Sequence, residues 1–166
     1  GGGHSIYSIV KDGIGVCQAY ALLFQRLMEE EGIASKYIVG VASGINHAWN
    51  LVTIDSKTYH IDATYGDPVF SEYFATYDAA GNPKVIGEQK EITIPQYVTY
   101  NTFLMSEEQL AKNAGHVIEE KRPYTKPSSD DFAAWHNVTN AVTLDGKHYY
   151  YQNTSTGNLE MADFSK

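Results

Sequence analysis

One cysteine, Cys17, stands directly after Gly13-Ile14-Gly15-Val16, at the head of an amphipathic run. The apolar positions Tyr20, Leu23, Phe24, Leu27 and Met28 follow at helical spacing, which predicts a helix over 17–31 closed by Gly32. A thiol at a helix start meets unpaired backbone N–H groups and the positive end of the helix dipole. Both favour the thiolate, which is the nucleophilic form. The glycines before it leave room for a substrate backbone. A free cysteine is also a common small buried hydrophobe, so this position alone does not make a nucleophile.

A thiolate nucleophile needs a base, and the base needs an orienting group. His47-Ala48-Trp49-Asn50 opens one strand-like run, and Ile61-Asp62-Ala63-Thr64 closes the next. His47 is a candidate to hold the Cys17 proton, and Asp62 to fix its tautomer and stabilise the imidazolium. The plainer alternative is a strand start and an aspartate at a strand end. Register stands against the pair. A two-residue hairpin centred on Ser56-Lys57 sets Asp62 opposite Leu51, leaving His47 about four residues, or roughly 13 Å, out of register. A bulge or a different turn must close that gap. His60 lies two residues before Asp62 on the same strand face and is the rival base.

His4, His116, His136 and His148 show no His-x-x-x-His spacing, so they are read as structural or solvated, and no metal site is expected. Neither a Gly-x-Ser-x-Gly elbow nor a phosphate-cradling glycine loop is present. The Cys17 backbone N–H is the natural first donor to an oxyanion. Tyr7 is the candidate second donor by proximity, and Trp49 is counted with it as support.

The elements that must position these residues follow from periodicity. Strands are expected at 36–42, 47–54 and 58–63, with Asp55-Ser56-Lys57 as the turn between the last two. Residues 66–87 lose periodicity and carry Asp67-Pro68 and Gly81-Asn82-Pro83, which reads as a long surface excursion. Strands are expected again at 91–94, stopped by Pro95, and at 97–104. Ser106-Glu107-Glu108-Gln109 is a capping box for a short helix ending at Gly115. Pro123, Pro127 and Ser128-Ser129-Asp130-Asp131 mark a linker. Beyond it, runs at 140–144 and 147–152 flank Asp145-Gly146, a hairpin signal, and 158–161 adds a third strand. The expected division is a core over 1–127 and a C-terminal hairpin segment over 128–166. That segment either completes the sheet or forms a small appendage. The fold class is α+β, with the cysteine helix packed on a mainly antiparallel sheet.

Composition narrows the function. The chain has 166 residues, 43% hydrophobic and 19% charged, which suits a folded domain with a real core. Its net charge of −8 argues against nucleic acid as a partner. No apolar run approaches the ~20 residues of a membrane helix. One cysteine cannot close an internal disulfide. Thirteen tyrosines, crowded in the second half, hint at an extracellular or cell-surface setting.

The motifs Gly15-Val16-Cys17-Gln18-Ala19-Tyr20-Ala21, Gly32-Ile33, His47-Ala48-Trp49-Asn50 and Tyr59-His60-Ile61-Asp62-Ala63-Thr64 resemble the transglutaminase-like superfamily. The resemblance runs from about Ser5 to Pro68, and Phe103-Leu104-Met105-Ser106 through His116 resembles the later helix of bacterial members. It implies a papain-like core, with the N-terminal part of the 1–127 domain incomplete, and Cys17 as nucleophile, His47 as general base and acid, and Asp62 as orienter. It further implies acyl transfer through a Cys17 thioester on a peptide or protein substrate, with hydrolysis favoured over crosslinking to amines. No metal or organic cofactor is required by that chemistry, and no carboxylate cluster marks a calcium site. The competing class is a non-catalytic cell-surface binding module on the same fold. The oligomeric state is not readable.

Overall fold

Ser5 starts the first helix by accepting a hydrogen bond from the Ser8 amide at 3.2 Å. Helix α1 (Ile6–Asp12) ends at Gly13, whose φ of 66° gives the left-handed cap. This seven-residue helix precedes the expected first element. It escapes a periodicity search because two turns carry too few apolar positions to define a face. The computed structural model describes residues 3–67, 70–72, 75–77, 83–85, 90–92, 98–143, 145 and 147–163.

Helix α2 (Cys17–Glu30) buries Ala19 and Ala21 and lays Phe24 and Met28 against Val52, Tyr59 and Leu104. The acidic last turn opposes the helix dipole, and Arg26 offsets it by pairing with Glu29 and Glu30. The helix gives way at Glu31, and Gly32 turns the chain at a φ of 70°.

Strands β1 (Ser35–Ala42), β2 (Ile45–Ile54) and β3 (Lys57–Ile61) pair antiparallel. Period-two alternation gives β2 two different faces. Val52 on one face joins the α2 contacts, and Asn50 donates to the Ala21 carbonyl at 3.0 Å. Trp49 and Leu51 on the other face join Ile38, Met105 and Leu110 in a second cluster. The β2–β3 turn is Asp55-Ser56, both at positive φ (48° and 65°), with Ile54 opposite Lys57. That is a two-residue type I′ turn, one residue earlier than expected.

The expected strand at 58–63 stops at Ile61. Asp62 accepts from the amides of Thr64 and Tyr65 and caps the short helix α3 (Ala63–Gly66). The expected long excursion carries short strands. Four three-residue strands pair as two ribbons, β4 (Phe70–Glu72) with β7 (Lys90–Ile92) and β5 (Ala75–Tyr77) with β6 (Pro83–Val85). Pro68, Gly81, Asn82, Pro95 and the end of the expected 91–94 strand lie outside the described residues. The start of the expected strand at 97–104 does too, and 98–104 is not a strand. It makes single bridges, with Leu104 at a φ of 49° that breaks extended backbone, and it clamps β3 where Met105 pairs with His60.

Ser106 caps helix α4 (Glu107–Ala114) by accepting from the Gln109 amide at 3.2 Å, and Gly115 closes it at a φ of 62°. The chain then enters β8 (His116–Ile118), which joins β1 and completes a four-stranded sheet in the order β3-β2-β1-β8. Gly40 makes that approach possible, because a Cβ there would stand 2.2 Å from the Val117 carbonyl and 2.6 Å from the Trp49 ring. After a 3-10 turn at Ala133–Asn137, strands β9 (Val138–Thr143), β10 (His148–Asn153) and β11 (Leu159–Asp163) form a separate three-stranded sheet. Leu144 and Gly146 of the expected hairpin turn lie outside the described residues. The architecture is α+β with a curled antiparallel sheet. Among the described residues no helix is long and apolar enough to cross a membrane.

Candidate active site

Three side chains from three elements meet beside the start of β2. Asp62 accepts from His47 Nε2 at 2.6 Å and from His116 Nε2 at 2.8 Å, both on Oδ2. Its Oδ1 is held by the α3 amides at 2.9 and 3.3 Å. The Asp62 main chain is fixed as well, by Thr102, whose hydroxyl donates to the Asp62 carbonyl at 3.0 Å. Burial pushes the Asp62 carboxyl up, but the hydrogen bonds from His116 and His47 outweigh it and leave the group below its ordinary value.

The earlier turn removes the register problem. With Ile61 opposite Asn50, continuation of the ladder would set Asp62 opposite Trp49. His47 is then two residues away, about 7 Å along the strand. The chain leaves the sheet at Asp62 to cap α3, and its side chain covers the remaining distance.

Cys17 sits at the first position of α2 and borders the same cleft as His47, a cavity of about 430 Å³ also lined by Gln18, Tyr37, Gly40 and Glu119. Among the described residues no hydrogen bond joins Cys17 to His47, and none occupies His47 Nδ1, the nitrogen left by the Asp62 contact. No side chain caps α2; the Ala19 and Tyr20 amides bond back to the Val16 carbonyl at 2.8 and 3.2 Å, and among the described residues no hydrogen bond occupies the amides of Cys17 and Gln18. Tyr37 is close enough to feel Cys17. Burial first, and then the charge of a Cys17 thiolate, push its phenol above the ordinary value.

The other expected site residues fall elsewhere. Tyr7 is 66% exposed on α1 with Lys11 over its ring, and it does not line the cleft; the phenol there is Tyr37. Trp49 is buried, with its ring stacked on His47 at 6.0 Å. Its indole N–H donates to His60 Nδ1 at 3.0 Å. His60 is a core residue, and among the described residues no hydrogen bond joins its ring to Asp62. Its Nδ1 accepts, so Nε2 carries the proton, and Glu107 at 3.9 Å is too far to receive it. Burial, followed by nearby His116, pushes His60 down to about 3.

That shift has a stability consequence. Between pH 3 and about 6.5 the folded ring binds fewer protons than the unfolded one, so its contribution is full above 6.5 and lost as pH falls. From pH 7 to pH 5 the unfolding free energy from urea titrations should fall by about 2 kcal/mol more in the wild type than in His60→Gln. Equal slopes in the two proteins would contradict a buried neutral His60.

His116 was read from sequence as structural or solvated, yet it belongs to this cluster. It stands 54 residues from Asp62, and only the Gly115 helix stop, followed by a strand beside β1, carries it there. The donor atoms of His47, Asp62 and His116 lie within 4.8 Å of one another, a set that could in principle hold a metal ion. The contacts of 2.6 and 2.8 Å argue for hydrogen bonds instead. Two ligands on a tetrahedral zinc with bonds of ~2.0–2.2 Å stand about 3.3–3.6 Å apart.

Fold and site thus define a cleft bordered by a helix-borne cysteine and a sheet-borne histidine, the histidine bonded to a buried aspartate just past the end of β3. Residues 1–63, the stretch that holds Cys17, His47 and Asp62, match the family model of the transglutaminase-like superfamily. No curated protein matches the chain.

Proposed function

We propose that the protein is a cysteine-dependent acyl-transfer enzyme that hydrolyses peptide or amide bonds. The observation that carries this reading is the 2.6 Å contact of His47 Nε2 with buried Asp62, at a cleft that Cys17 also borders. The carboxylate fixes the ring in the tautomer that leaves Nδ1 free for the Cys17 proton.

In the reaction, the Cys17 proton passes to His47 and the sulfur attacks the substrate carbonyl carbon. The developing oxyanion is received by backbone N–H groups of the first turn of α2, including that of Cys17. The C–N bond breaks as His47 returns its proton to the departing amine, leaving a thioester. Water then attacks the thioester, its proton moves to His47, and the acid leaves as the thiol is restored. Every proton is accounted for by His47, and the residues named need no cofactor for the cycle.

The acceptor decides between hydrolysis and crosslinking. A dye-labelled primary amine incubated with a glutamine-containing protein should yield released ammonia or new amino termini without stable dye incorporation. Covalent dye incorporation dependent on Cys17 would overturn the hydrolase reading. Absence of both products across peptide and amide substrates would favour the non-catalytic module.

A further inference from the structure

His116 is fully buried, and both of its ring nitrogens face oxygen atoms. Nε2 lies 2.8 Å from Asp62 Oδ2, and Nδ1 lies 2.9 Å from the Ala114 carbonyl oxygen. A carbonyl oxygen can only accept, so Nδ1 carries a proton. In a neutral ring, Nε2 would then point a lone pair at a carboxylate. A proton must lie between Nε2 and Oδ2, on one atom or the other. Three other donors, His47 Nε2 and the amides of Thr64 and Tyr65, converge on Asp62 and hold it as the carboxylate, so the proton belongs to the ring.

We propose that His116 is a positioning residue, a doubly protonated imidazolium wedged between Asp62 and the Ala114 carbonyl that fixes the carboxylate orienting His47. The contrast with His60 is direct. That ring accepts from Trp49 and is neutral, whereas His116 faces two acceptors. The groups around His116 are Asp62 from the end of β3, His47 and Trp49 from β2 at ring distances of 5.4 and 4.9 Å, and Tyr65 from α3 at 5.0 Å. His60 is near enough to feel its charge. Asp62 is the only carboxylate among these neighbours, and it is shared by both imidazoles. With His116 pinned by α4 and β8 and Oδ1 pinned by α3, Oδ2 cannot rotate away from His47.

The positioning role rests on His47 being the base; the protonation state does not. Nitrogen-15 NMR on the full chain tests the latter, with His116→Gln identifying the resonances. Both His116 nitrogens should carry a proton at neutral pH, and His47 should carry its proton on Nε2. A bare nitrogen on His116 would overturn the proposal. In His116→Ala, His47 should lose its fixed tautomer and kcat should fall about tenfold to a hundredfold with little change in KM. His116→Gln, whose NH2 keeps a neutral donor for Asp62 Oδ2, should recover the tautomer and part of kcat. An unchanged His47 tautomer in His116→Ala would overturn the positioning role. A wild-type protein inactive on every amide would contradict the proposed function while leaving both NMR readouts intact.

Discussion

Cys17→Ala is expected to abolish amide turnover while shifting the urea midpoint by no more than about 0.5 kcal/mol, because a small residue replaces a half-buried thiol at a helix start. Cys17→Ser should be almost as inactive, since a hydroxyl is far harder to ionise than a thiol. His47→Ala removes the base and should lower kcat by about 10²–10⁴-fold. The informative partner is His60→Ala. It empties a buried position next to Trp49, so it should lower stability yet retain most of the rate below its melting range. Steady-state kinetics on the variants beside thermal melts separate the two effects. An active His47→Ala protein beside an inactive, folded His60→Ala protein would reverse the assignment.

The second large effect concerns Asp62. Four donors converge on its carboxylate, two imidazoles and two amides, and its side chain is fully buried. Asp62→Ala leaves all four without their acceptor and should cost about 3–5 kcal/mol, the range for breaking a buried ion-paired group. Asp62→Asn keeps an oxygen for the α3 amides but turns its NH2 toward the imidazoles, so it donates to His47 Nε2 and favours the tautomer with the proton on Nδ1. It should cost less in stability than Asp62→Ala, yet lower the rate about as much as His47→Ala. A urea midpoint in Asp62→Ala equal to that of the wild type would contradict its place at the centre of the cluster.

Much of this arrangement was legible in local chemistry. The α2 periodicity and the Ser106 capping box act within one or two turns, so the sequence exposes them directly. The Cys17, His47 and Asp62 motifs were visible as residue types in order, but their convergence depended on register. A shift of the turn from Ser56-Lys57 to Asp55-Ser56 changes the facing partner of Asp62 from Leu51 to Trp49, and turn chemistry without glycine does not specify that choice. The strand end at Ile61 was hidden for a related reason. Asp62 looks like a strand residue until its side chain is seen accepting the α3 amides. His116 was the least legible. Its role depends on where a helix stop and a three-residue strand deliver it, and no spacing rule links residues 54 apart. Tyr7 shows the converse, since nearness in sequence to Cys17 did not bring it into the cleft.

The central claim is that His47, oriented by Asp62, activates Cys17. The rate constant for alkylation of Cys17 by iodoacetamide at neutral pH, in the wild type and in His47→Ala, tests it without any knowledge of substrate. The thiolate is the species that reacts, so the wild-type rate should exceed the variant's by at least about tenfold. Equal rates in two folded proteins would mean that His47 does not act on the thiol, and would contradict the account.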